Sequence, residues 1–148
     1  MNKKGFTLVE LLAVIAILAI LVIIALPNVL SMFNSAKSST FLTEVQTIYK
    51  QSQTEFINDS IKSSGPQNYC DASGSCGTNV TCKALSLTTT KKYCVKMNSE
   101  GTITYIGVKD SSFVYGKNSP ANIQALTEAG VKDASKNTSF NLGSTTTE

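Results

Sequence analysis

The chain has 148 residues, with 13 Lys, no Arg, 10 acidic residues, no His and no Trp, for a formal net charge of +3. That length allows one modest domain with an appendage, not two ordinary domains. Without His there is no Ser–His–Asp or Cys–His catalysis and no commonest metal ligand, and without Arg there is no bidentate phosphate or guanine recognition.

The chain shows no nucleophile–base pair, no glycine phosphate loop and no metal-ligand constellation, so no enzyme, catalytic residue, metal or cofactor is expected. The positive charge is small and scattered along the chain, so no specific nucleic acid is expected as a partner.

In chain order, Met1-Asn2-Lys3-Lys4-Gly5 comes first, followed by an apolar run. Residues 6–26 hold 19 apolar side chains in 21, Thr7 and Glu10 being the exceptions. About 20 apolar residues at 1.5 Å each span the roughly 30 Å hydrocarbon core of a bilayer. Lys3 and Lys4 are the basic pair at its end, which keeps the short N-terminus cytoplasmic and places the rest of the chain outside. A cleaved secretory signal fits poorly: the run is longer than such an apolar core, and no A-x-A-like site follows it.

Glu10 is costly inside an apolar span. A cut between Gly5 and Phe6 would create an α-amino group four residues earlier, on the same helix face. Amine and carboxylate could then neutralise each other between staggered chains and fix the register of an assembly.

Lys3-Lys4-Gly5 followed by Phe6-Thr7-Leu8-Val9-Glu10-Leu11-Leu12 resembles the class III signal of type IV pilins and pseudopilins. The resemblance covers about 25 residues. It implies that a prepilin peptidase cuts after Gly5 and N-methylates Phe6, and that Glu10 contacts the amino terminus of a neighbouring subunit. It also implies a single-pass precursor in the inner or cytoplasmic membrane. An assembly platform and its separate ATPase then extract the chain into an extracellular homopolymer filament.

No Gly lies between Gly5 and Gly65, and Pro27 is the one Pro in that stretch. Phe41, Leu42, Val45, Ile48, Tyr49, Phe56 and Ile57 recur at three- and four-residue spacing, an amphipathic helical pattern with Ser52 as its soft position. One helix is therefore expected from about residue 6 to about residue 60. Pro27, which lacks an N–H and crowds the preceding turn, is expected to kink it rather than end it.

Residues 62–81 read as an irregular connection. Residues 93–97 and 102–108 read as strands around a turn at Asn98-Ser99-Glu100-Gly101, with a further strand at 112–115. Residues 83–87 fit a strand or a short helix. Ser119-Pro120 and Gly130 bracket an expected short helix at 121–129, and the Ser/Thr/Asn-rich tail from Lys132 reads as partly loose.

Cys70, Cys76, Cys82 and Cys94 form an even set in a small exported body, which favours two disulfides. Of the three possible pairings, Cys70–Cys76 with Cys82–Cys94 is preferred because it closes two local loops. A zinc site would need the C-x(2–4)-C spacing that is absent here. Lys91-Lys92 reads as a solvated turn.

The expected architecture is α+β: a long N-terminal helix, hydrophobic and transmembrane before assembly, packed on a small antiparallel sheet in the manner of pilins. Its segments are a leader at 1–5, a membrane and filament-core helix at 6–33, an amphipathic continuation at 34–61 and a globular head at 62–148. The expected function is that of a structural pilin in a type IV pilus-like surface filament, with adhesion and twitching motility implied by the resemblance. A pseudopilin for type II secretion or competence DNA uptake, and a single-span anchored protein that never polymerises, stand as alternatives.

Overall fold

The computed structural model describes residues 5–62, 67–71, 76–77, 80–137 and 140–143. The chain divides into two compact units, residues 1–37 and residues 38–148.

Helix α1 runs over Leu8–Ser60 and continues through Pro27, so one helix forms rather than two. From Leu11 to Leu26 its residues are apolar all round. Every large apolar side chain from Leu8 to Phe33 is exposed, Ile23 at 71% for example. It is the one described helix long and apolar enough to cross a membrane.

In the second unit the same helix has an inside. Phe41, Val45, Ile48, Tyr49 and Ser52 are its buried residues. All belong to the expected stripe, and burying each large apolar member contributes about 1.5–3 kcal/mol relative to exposure. This helix is rich in hydroxyls, which compete for backbone bonds. They are accommodated by back-bonding within the helix: Thr43 donates to the Ser39 carbonyl, Thr47 to Thr43, Thr54 to Lys50 and buried Ser52 to Tyr49.

Six strands form one sheet in the head: β1 (Asn68–Cys70), β2 (Lys83–Ala84), β3 (Lys92–Met97), β4 (Ile103–Lys109), β5 (Phe113–Asn118) and β6 (Val131–Asp133), in the spatial order β2-β1-β3-β4-β5-β6. All neighbours are antiparallel except β1 and β2. The α+β class follows, with residues 38–60 of α1 packed on a mostly antiparallel sheet. Tyr69, Tyr93, Val95, Ile106, Val108 and Tyr115 join Phe41, Val45 and Ile48 in the main core. Phe41 meets Phe113 at 5.6 Å between ring centroids.

The hairpin forms where the sequence places it. Gly101 closes it onto Asn98 through a 3.1 Å backbone hydrogen bond. Its φ of +83° and the Phe56 ring beneath, 2.7 Å from where a Cβ would stand, leave room for no other residue.

Three expectations change and one open reading is resolved. The connection at 62–81 contains a strand, β1, which is buried against β3 despite its polar surroundings. Residues 83–87 give a strand of two residues. The helix expected at 121–129 is replaced by two 3-10 turns, Ile123–Ala125 and Glu128–Gly130. Leu126 between them is extended and buried in the core, and that burial outweighs the local helical signals. The tail supplies edge strand β6, and further on Leu142 packs beside Cys70, Cys76, Cys94 and Tyr105 on the sheet's other face.

The cysteines form two disulfides, but the pairs are Cys70–Cys82 and Cys76–Cys94, not the local loops expected. Strand β2 returns parallel to β1, setting Lys83 beside Tyr69 and Ala84 beside Cys70, and Cys82, just before β2, reaches Cys70 from there. Cys94, although the cross-strand partner of Cys70, bonds to Cys76. Gly143 lies against this second bridge at φ +90°, and a Cβ there would stand 2.1 Å from the Cys76 carbonyl oxygen.

Candidate processing and assembly site

The expected leader lysines, Lys3 and Lys4, lie outside the described residues. Gly5 is exposed, with no atom within 4 Å of where a side chain would begin. Phe6 is 84% exposed. The bond between them is therefore sterically open.

The helix start is built by Thr7 and Glu10. Glu10 Oε2 accepts from the Thr7 backbone N–H at 2.8 Å and from its hydroxyl at 2.8 Å, while the Glu10 N–H donates to Thr7 Oγ1 at 3.3 Å. This reciprocal arrangement is a capping box, which satisfies donors that a helix N-terminus would leave orphaned. The Thr-x-x-Glu spacing announces it in the sequence, so Thr7 is a residue that reading by charge alone missed. Among the described residues Glu10 makes no ion pair.

Sequence order also hid three polar clamps on residues 38–60 of α1. Glu128 accepts from the Ser38 and Ser39 hydroxyls at 2.5 and 3.0 Å, and those bonds hold its carboxyl below the ordinary range. Lys83 bridges Glu55 and Asp59 at 2.7 Å each. The Lys83 hydrogen bond lowers the Asp59 pKa, and the two carboxylates together raise that of Lys83. Burial first, then the neighbouring Asp59 charge, push up the Tyr69 phenol, which donates to Asp59 at 3.3 Å.

Lys91 is not in a solvated turn. Its ammonium reaches Asp110 at 3.0 Å and Glu44 at 3.2 Å, over the Phe41 ring at 5.3 Å. Lys92, its neighbour, is exposed. The first lysine follows the apolar stripe inward and the second follows the strand alternation outward.

Residues 1–26 match the prokaryotic N-terminal methylation motif. The chain carries the N-terminal signal of the type IV pilin and pseudopilin family. That match spans Gly5, Phe6, Glu10 and the exposed apolar residues up to Leu26, the same segment that the geometry leaves open and capped. No curated protein and no solved structure matches the chain. The motif implies processing by a prepilin peptidase and assembly into a filament. It fits a membrane-anchored precursor and points to a structural subunit.

Proposed function

We propose that the chain is a prepilin, the precursor of a structural subunit in a type IV pilus-like surface filament. Cleavage after Gly5 and methylation of Phe6 yield the mature N-terminus. An assembly platform and its ATPase then move the subunit from membrane to fibre. Residues 6–33 supply the apolar core, Pro27 kinks the helix, and residues 62–148 supply the exterior that meets surfaces in adhesion and motility.

One observation carries this reading. From Leu8 to Phe33 no large apolar side chain is covered. So large an exposed apolar surface marks a segment made for a membrane or for its own kind. Glu10 adds specificity: a carboxylate in that surface with no ion pair among the described residues supports a register set by the Phe6 amine of a neighbour.

Intact mass and N-terminal sequencing of the surface protein test the proposal. The expected product starts at methylated Phe6, retains residues 6–33, and is lighter by four further hydrogens for two disulfides. A chain that starts at Met1 or has lost the apolar helix overturns it.

A further inference from the structure

The two bridges of the head are not equally covered. Cys70, Cys76 and Cys94 are fully buried, whereas Cys82, just before β2, is partly exposed. All four lie in one cluster with Val80, Tyr105 and Leu142 on the sheet face turned away from α1. Strand alternation explains the cluster. Tyr69 and Lys83 point to the helix side, where Lys83 meets Glu55 and Asp59, so Cys70 and Cys82 point to the other.

Cys70 has a second sulfur directly opposite. The β1–β3 register pairs it with Cys94. The Asp71 N–H donates to the Tyr93 carbonyl at 3.3 Å, and the Met97 N–H donates to the Gln67 carbonyl at 2.8 Å. In an antiparallel ladder hydrogen-bonded pairs alternate with pairs that exchange no such bonds, and these two bonds place 70 and 94 in the second class. The Cα atoms of such a pair stand about 4.5 Å apart, inside the span of about 4.4–6.8 Å that a disulfide bridges. Cys70 therefore stands between two sulfurs within reach: Cys82, at a Cα separation of 5.7 Å, and Cys94.

We propose that the four cysteines form a thiol–disulfide exchange relay, entered by a small external thiol at Cys82 and passed to the buried bridge by Cys70. A thiolate attacks the Cys82 sulfur, forming a mixed disulfide and releasing Cys70 as the thiolate. Cys70 attacks Cys94, forming the cross-strand Cys70–Cys94 bridge and releasing Cys76. Cys76 then attacks Cys82 in the mixed disulfide, forming Cys76–Cys82 and returning the external thiolate. Each step makes one S–S bond and breaks one, so no oxidant or reductant is consumed. The product is the third of the three pairings that four cysteines allow.

The tail holds the resting pairs. Leu142 packs in the cluster, Gly143 lies against Cys76 at φ +90°, and the Gly143 carbonyl accepts from the Lys96 ammonium at 2.6 Å. Cys76 leaves Cys94 only as this clasp gives way. A Cβ at position 143 would meet the Cys76 backbone, so Gly143→Ala loosens the clasp without touching a sulfur. The inference concerns the head alone and stands whether or not the chain polymerises.

The test uses the full chain in a non-ionic detergent with glutathione at about pH 8, where thiolate is available for attack. Acid quenching and peptic disulfide mapping by mass spectrometry follow the pairs with time. Glutathione should appear first on Cys82, followed by peptides joined through Cys70–Cys94 and through Cys76–Cys82. Gly143→Ala should raise the yield of both several-fold. In Cys76→Ser the Cys94 thiol, left without its partner, should attack Cys70, so an alkylating agent added to the folded protein should label Cys82. Glutathione found first on Cys76 or Cys94, no Cys70–Cys94 peptide in the parent and in Gly143→Ala alike, or an unlabelled Cys82 in Cys76→Ser each overturns the proposal.

Discussion

Residues 8–33 and residues 41–52 belong to one helix, yet they solve opposite problems. The first stretch is apolar on every side and covers none of it. The second is apolar on one stripe and buries that stripe within the head, Val45 completely. The difference teaches that apolar content alone says little about a helix's purpose. A stripe is written for a partner in the same chain, whereas an all-round apolar surface is written for a membrane or for other copies.

The sharpest way to separate the two regions is to cut what only the head possesses. Replacing all four cysteines by Ser removes both bridges, each expected to contribute about 3 kcal/mol for loops of this size. The head should then fail to fold at 37 °C, lost from near-ultraviolet circular dichroism. The helical far-ultraviolet signal of residues 8–33 should persist in detergent. Parallel loss of both signals would show that the two regions are not independent.

A matched pair of truncations gives the next largest effect. Ile48→Ala, at a fully buried site, should destabilise the head by about 3 kcal/mol in chemical denaturation. Ile20→Ala, at a site 59% exposed, should leave the same transition where it was. Equal shifts would contradict the contrast.

Acid gives a smaller effect with a defined sign. Burial would raise the Asp110 pKa, but the Phe113 N–H, the Lys91 ammonium and the Ser112 N–H outweigh it and hold it below the ordinary value. A carboxyl depressed on folding contributes stability that is present above its unfolded pKa of about 3.9 and is lost as pH falls through the folded value. Head stability should therefore drop below about pH 4, and Asp110→Asn should flatten that limb. An unchanged limb in the variant would remove the Lys91 clamp from the account. Lys83→Met should produce the smallest change of the series, because its ammonium is half exposed and well screened. A shift as large as that of Ile48→Ala would contradict that.

Much of this was legible in the sequence, for identifiable reasons. Periodicity marked Phe41, Val45, Ile48 and Tyr49 because local spacing alone decides a helix face. The hairpin at residues 98–101 was legible because its Gly sits where a positive φ is required. What was not legible depends on sheet order. Strand β1 hides in a polar stretch, and the disulfide partners follow from a parallel return that no spacing rule announces. Leu126 gave up a local helix for a place in the core. At the N-terminus the charge of Glu10 was noticed before the Thr7 cap, although the two share one geometry.

That shared geometry supplies the most direct test of the central claim, that Glu10 sets the register of a filament. Glutamine at position 10 can still accept the Thr7 N–H and keep the capping box, but it carries no charge. Electron microscopy of cells carrying Glu10→Gln, with intact mass of the processed subunit as control, separates the cap from the charge. The account predicts normal cleavage at Gly5–Phe6 with fibres lost or strongly reduced; normal fibres from that variant would contradict it.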